Sequence, residues 1–80
     1  MTVTVLLFAS YADALGASSL QLELAHGATV EDVIGHVRGL PGADRLPAAP
    51  LTAVNERYAK RDRVLAAGDQ VAIIPPVAGG

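Results

Sequence analysis

Eighty residues, 51% hydrophobic and 18% charged, make one compact domain rather than a disordered segment, with a modest core that hides roughly 60% of the unfolded chain's surface. The absence of cysteine excludes disulfides, thiol nucleophiles, thiolate metal sites and cysteine-held iron–sulfur clusters. A formal charge of −2 and a pI near 5.4, without a basic periodic face, argue against a phosphate-binding surface, and no nucleic-acid partner is expected. No apolar run approaches the roughly 20 residues that span a bilayer, and the start Met1-Thr2-Val3-Thr4-Val5 lacks a signal peptide's basic region, so the expected setting is the cytoplasm with no membrane partner.

Residues 2–8, rich in β-branched and large apolar side chains, form the first predicted strand, with Val3, Val5 and Leu7 on one parity and Thr2, Thr4, Leu6 and Phe8 on the other. Ser10 is expected to cap a short helical turn over 11–15, which Gly16 ends in a left-handed conformation. Over 19–25 the alternation of Leu20, Leu22 and Leu24 with Gln21 and Glu23 predicts a second strand with one wet face, pairing with the first. Thr29 ahead of Glu31 and Asp32 reads as the start of a helix, the acidic pair favouring the positive end of its dipole. Val30, Val33, Ile34 and Val37 fall at i, i+3, i+4 and i+7, a stripe that packs on the sheet. With Leu20, Leu22 and Leu24 they make the expected core.

Gly39, Pro41 and Gly42 break that helix, and 41–50 reads as an irregular connection. Residues 51–55 make a third strand and 58–64 a minor edge strand and turn. Ala67-Gly68-Asp69 turns the chain into a last strand over 70–74. Pro75 and Pro76 cannot donate to a ladder, so pairing stops there. The folded body is about 1–74, and 75–80 leaves it as a tail. One helix crossing a mixed sheet in the order β, β, α, β, short β, β is an α+β arrangement with the β-grasp pattern.

Side-chain catalysis has little to stand on. The histidines His26 and His36 lack a partnering constellation and read as solvated residues. Gly35, Gly39 and Gly42 do not make a phosphate-loop fingerprint. Asp62 and Asp69 read as turn formers rather than metal ligands, and Arg57, Lys60, Arg61 and Arg63 as a solvated edge that resists strand pairing. No metal site and no tightly bound cofactor are expected.

The end of the chain differs. Gly79-Gly80 has no side chain at either position, so a narrow channel in a partner admits the backbone and leaves the terminal carbon open to attack from both sides. Its carboxylate is ionised at neutral pH and is a poor electrophile until an oxygen becomes a leaving group, which activation by ATP supplies. Two glycines alone do not separate a reactive end from an inert one.

The longer run does. Leu7-Phe8-Ala9, Thr29-Val30-Glu31-Asp32, Ala53-Val54-Asn55, Gly68-Asp69-Gln70-Val71-Ala72 and Pro75-Pro76-Val77-Ala78-Gly79-Gly80 together resemble the molybdopterin synthase small subunits, sulfur carriers of the ubiquitin-like β-grasp superfamily. The resemblance covers essentially the whole chain; 41–50 carries no signature of the family. It implies that a ubiquitin-activating-type adenylyltransferase uses ATP to join Gly80 to AMP, and that a persulfide donor then converts Gly80 to a thiocarboxylate. It further implies docking on a large catalytic subunit, two small and two large subunits forming a heterotetramer, with sulfur passing to a cyclic pterin phosphate. The small subunit is then a cosubstrate, with catalytic side chains on the large one. Parity places Phe8 and Ile74 outward beside the root of the tail, an apolar patch that, with Pro75, Pro76 and Val77, is the expected partner-binding surface. The alternatives are a sulfur carrier for thiamine thiazole synthesis, which usually lacks the Pro-Pro-Val approach, a ubiquitin-like modifier conjugated through Gly80, and an interaction module with an inert tail.

Overall fold

The computed structural model describes residues 1–47 and 50–75. Strand β1 (Thr2–Leu7) leads into helix α1 (Ala9–Leu15), strand β2 (Ser19–Glu23), helix α2 (Val30–Arg38), a short 3-10 helix (Ala43–Arg45) and strands β3 (Leu51–Val54), β4 (Arg57–Tyr58) and β5 (Gln70–Ile74). The sheet order is β2-β1-β5-β3-β4, with β1 and β5 parallel and the other pairs antiparallel. The last strand therefore sits at the centre, between the first and the third.

The alternations produce the two faces of this sheet. Val3, Val5 and Leu7 of β1, Val71 and Ile73 of β5 and Val54 of β3 are buried with Val30, Val33, Ile34 and Val37 of α2, so the predicted stripe packs as expected. Thr52 also faces inward, and its hydroxyl donates to the Ala59 carbonyl at 3.0 Å, which removes the penalty for burying it. The start of α2 is fully partnered. The Val30 and Glu31 amides donate to the Arg63 and Arg61 carbonyls at 3.0 and 2.8 Å, and the Asp32 carboxylate reaches back to accept the Thr29 amide at 2.8 Å. Arg61 forms a two-pronged pair with Glu31, its Nη2 donating at 2.7 Å.

Four expectations need correction. Leu20 and Leu22 are only half-buried, because β2 is an edge strand with neighbours on one side, and Leu24, which is buried, lies beyond a strand that ends at Glu23 rather than at residue 25. Ser10 does not cap α1: the helix begins at Ala9, with Phe8 in the cap position and no side-chain cap bond. The left-handed stop at Gly16 is present, at φ 73°. The predicted edge strand over 58–64 is reduced to Arg57–Tyr58, with Val64 bridging separately to Thr29.

The connection after α2 is also more ordered than expected. Its 3-10 turn buries Ala43 and Leu46, and Gly42 enters it at φ 89°. A β-carbon on Gly42 would run into the backbone carbonyl of Ala14 in α1. Replacing Gly42 with Ala therefore combines left-handed strain with a clash against backbone. The expected loss is about 2 kcal/mol or more, a fall of roughly 10 °C in a melting curve. A melting point unchanged within error would show that α1 and the turn are not packed in this way.

Candidate functional site

The sheet face turned away from α2 carries the site. On β1 the outward residues are Thr4 and Leu6, on β5 Gln70, Ala72 and Ile74, and on β3 Leu51 and Ala53. The registers align Leu6 with Ala72, Ala72 with Ala53 and Ala53 with Tyr58, a row crossing four strands. One level nearer the end of β5, Ile74 pairs with Leu51. Small residues at the centre of the row and large ones around it leave a concavity of about 330 Å³, lined by Leu6, Phe8, Ala53, Tyr58, Ala72 and Ile74 with Glu56 and Gln70 at its polar side.

Phe8 and Ile74 come together on this face, as parity suggested. Phe8 is 48% exposed and Ile74 half-buried. Phe8 is held by a change of direction: it is still extended, at φ −122°, but Ala9 is left-handed at φ 49°, and the chain turns from strand to helix there. Tyr58, 74% exposed, and Leu51, 48% exposed, extend the apolar surface. The result is an open apolar surface with an aromatic at each side. Leu6, Ala72, Ala53 and Tyr58 were not singled out from sequence. The first two share the parity of Phe8 and Ile74 and were within its reach, whereas Ala53 and Tyr58 join only through strand register.

A polar network braces the far side of the concavity. Asn55 and Glu56 turn β3 into β4 with φ of 50° and 73°, the left-handed pair that a two-residue hairpin requires. The Asn55 amide donates to the Gln70 carbonyl at 2.9 Å, its side-chain oxygen accepts the Gln70 amide at 3.0 Å, and its side-chain nitrogen donates to Asp69 at 3.0 Å. Asp69 also accepts the Ala66 amide at 2.8 Å, the backbone-contacting turn role expected of it. The Ala66 amide first, and then Asn55, hold its carboxyl below the ordinary 3.8.

Because the folded value is depressed, Asp69 stabilises the fold fully above the unfolded value and loses that contribution as pH falls through the lower folded one. Urea midpoints of the native chain and of Asp69→Ala, measured from pH 7 downward, should differ at neutral pH and converge below about pH 3.8. A constant gap across that range would remove the ionised network from the account.

Pro75 follows β5 directly, while Pro76, Val77, Gly79 and Gly80 lie outside the described residues. His26 and His36 are exposed at a broad depression of about 800 Å³ beside α2, with Glu23, Glu31 and Asp32. No group of three potential metal ligands occurs among the described residues, and no helix among them is long and apolar enough to cross a membrane.

A mixed five-stranded sheet in this order, one principal helix across it and a central last strand leading into the C-terminal segment define a ubiquitin-like β-grasp protein. The small archaeal modifier protein 1 of Haloferax volcanii shares this fold with a TM-score of 0.85 at 28% identity over 100% of both chains. A putative molybdopterin converting factor, subunit 1, from Pyrococcus furiosus gives 0.84 at 29% identity, covering 96% of this chain and 99% of that one. The chain belongs to the ThiS family, which it matches over residues 5–80. Among curated relatives, a molybdopterin synthase sulfur carrier subunit from Chlamydomonas reinhardtii is 35% identical over 83 aligned residues, covering 100% of both chains.

Proposed function

We propose that this protein is the sulfur carrier subunit of a molybdopterin synthase and that its reactive group is the C-terminal carboxylate of Gly80. The end-to-end similarity to a sulfur carrier subunit carries the reading, and the apolar concavity beside the last residues of β5 gives it a docking surface. In this reading ATP and an adenylyltransferase of the ubiquitin-activating type convert the Gly80 carboxylate to an acyl-adenylate. The terminal sulfur of a persulfide displaces AMP to form an acyl–S–S–R link. A second thiol of the donor then attacks the donor's sulfur in that S–S bond to leave a disulfide and release the Gly80 thiocarboxylate, and this enters the active site of a large subunit. There it gives up sulfur for the dithiolene of molybdopterin. This chain contributes a docking face and an acyl end without side chains, while pterin recognition and proton transfer belong to the large subunit.

The decisive experiment is intact-mass analysis of protein isolated from its native host. The expected result is a species heavier by the exchange of one oxygen for one sulfur, located on the C-terminal peptide. Sulfur on an internal residue, or none under conditions of active cofactor synthesis, would end the carrier reading.

The docking surface has its own test. Phe8→Asp should weaken binding to the large subunit tenfold or more by calorimetry, since a charge at the centre of an apolar contact must be desolvated. Undiminished binding by a folded variant would move the interface elsewhere.

A second reading is favoured by the likeness to the Haloferax modifier: the activated Gly80 is conjugated to amines of proteins. Isopeptide-linked products in cells distinguish it from sulfur transfer alone, and one activation step serves both.

A further inference from the structure

The two edges of the sheet differ. On one side β4 is two residues long and is followed by Lys60, Arg61 and Arg63, a short charged edge of the kind that resists further pairing. On the other side β2 runs for five residues, Ser19 to Glu23, without a proline or a basic residue to blunt it. Which of its backbone groups are free follows from its ends. The Met1 and Leu24 nitrogens donate to each other's carbonyls at 2.7 and 2.8 Å, and the Leu7 amide donates to the Ser18 carbonyl at 2.9 Å. Even-numbered residues of β2 therefore bond toward β1. The amides and carbonyls of Ser19, Gln21 and Glu23 project from the open edge, where no strand pairs among the described residues.

The side chains of this edge are unfinished on one face and quiet on the other. Leu20 and Leu22 are level with Val5 and Val3 on the α2 side of the sheet, and they pack on the core yet stay half-buried. On the opposite side Ser19, Gln21 and Glu23 are exposed. The Glu23 carboxylate accepts the Thr2 hydroxyl and lies 3.9 Å from the Met1 amine, so the single charge of the strand is already partnered within its own copy.

We infer that β2 is a self-association surface: two copies of the chain pair their β2 strands antiparallel about a two-fold axis at Gln21, joining two sheets into one. Only this register pairs the whole length of the strand. Ser19 then faces Glu23 of the second copy and Gln21 faces its own counterpart, all at hydrogen-bonded positions, so every projecting amide meets a carbonyl. On the α2 side Leu20 meets Leu22 of the second copy at the closer, non-bonded positions, and each leucine gains the neighbour that a single sheet does not supply. No like charges oppose, because Glu23 stands against a serine, whereas centring the pair on Glu23 would set two carboxylates face to face. The contact is isologous and closes at two copies. No residue of β2 lines the apolar concavity, so both docking faces stay open in the dimer. Strands this short give a contact at the small end of specific interfaces, under about 1,200 Å², so the dimer is a reversible one.

The chain has no cysteine, so single introduced ones report the register. Gln21→Cys sets two thiols at directly opposed positions, with Cα atoms about 5.5 Å apart and within disulfide reach, whereas Ser19→Cys leaves them about 14 Å apart and out of reach. Under mild oxidation Gln21→Cys should form a covalent dimer at least tenfold faster than Ser19→Cys, and Ser19→Cys mixed with Glu23→Cys should cross-link one to the other. In sedimentation velocity the native chain should pass from monomer to dimer as its concentration rises. Gln21→Lys, which opposes two ammonium groups at an exposed position, should stay monomeric with the melting temperature of the native chain. A native chain that stays monomeric at millimolar concentration, or equal oxidation rates for the two single cysteines, would overturn the inference. A dimer that survives Gln21→Lys would overturn it too and move self-association to another surface, such as the apolar concavity.

Discussion

Deleting Gly80, or adding one residue after it, is expected to lower sulfur transfer by 100-fold or more while leaving the melting temperature within about 4 °C of the native chain. The two halves of this expectation rest on different links. Among the described residues the buried cluster runs from Val3 to Ile73, and the sequence of 75–80 carries no periodic apolar pattern. Changes of this kind shift stability by no more than about 0.5 kcal/mol, which is roughly 2–4 °C for a domain of this size. Reactivity depends instead on one carbonyl carbon reaching first an adenylating site and then a partner's pocket. One residue displaces that carbon by about 3.3 Å, whereas a misplacement of about 1 Å already costs on the order of 100-fold in rate. A thiocarboxylation assay beside a melting curve checks both, and full activity in the deletion variant would overturn the site assignment.

The second large effect separates two neighbouring residues. Ile73→Ala should cost roughly 2–5 kcal/mol of stability, since Ile73 is fully buried under α2 and its loss leaves a cavity. Ile74→Asp should leave stability nearly unchanged and weaken docking tenfold or more, since Ile74 lies at the apolar concavity on the other face. The physical basis is the period of two in a strand, which sends adjacent side chains to opposite sides of the sheet. Urea denaturation and calorimetric titration with the large subunit, run on both variants, read the two effects independently. Equal stability losses would mean that β5 is out of the register described.

How much of this was legible in the chain differs by element. The α2 stripe and its acidic first turn have a period and a cap that local chemistry enforces, and both appear where expected. Phe8 and Ile74 were placed outward by parity alone, and they face outward. Leu20 and Leu22 show the limit: their alternation predicts which face they take but not how deeply it is buried, because nothing within β2 records that it lies at the edge of the sheet. The 3-10 turn at Ala43–Arg45 escaped for a different reason, since three residues are too few to show a period and its hold on the core comes from Ala43 and Leu46 packing against other elements.

By itself, then, the amino-acid sequence determined the α+β class, the face each strand residue takes, the inward stripe of α2 and the end of the last strand ahead of Pro75, because these follow from backbone geometry and side-chain period over a few residues. Tertiary structure alone decided that Ala72, Ala53 and Tyr58 share one row and that Leu51 and Ile74 lie level. Those relations join residues as far apart in sequence as Leu51 and Ile74, 23 positions, and no local pattern encodes the strand register that brings them together.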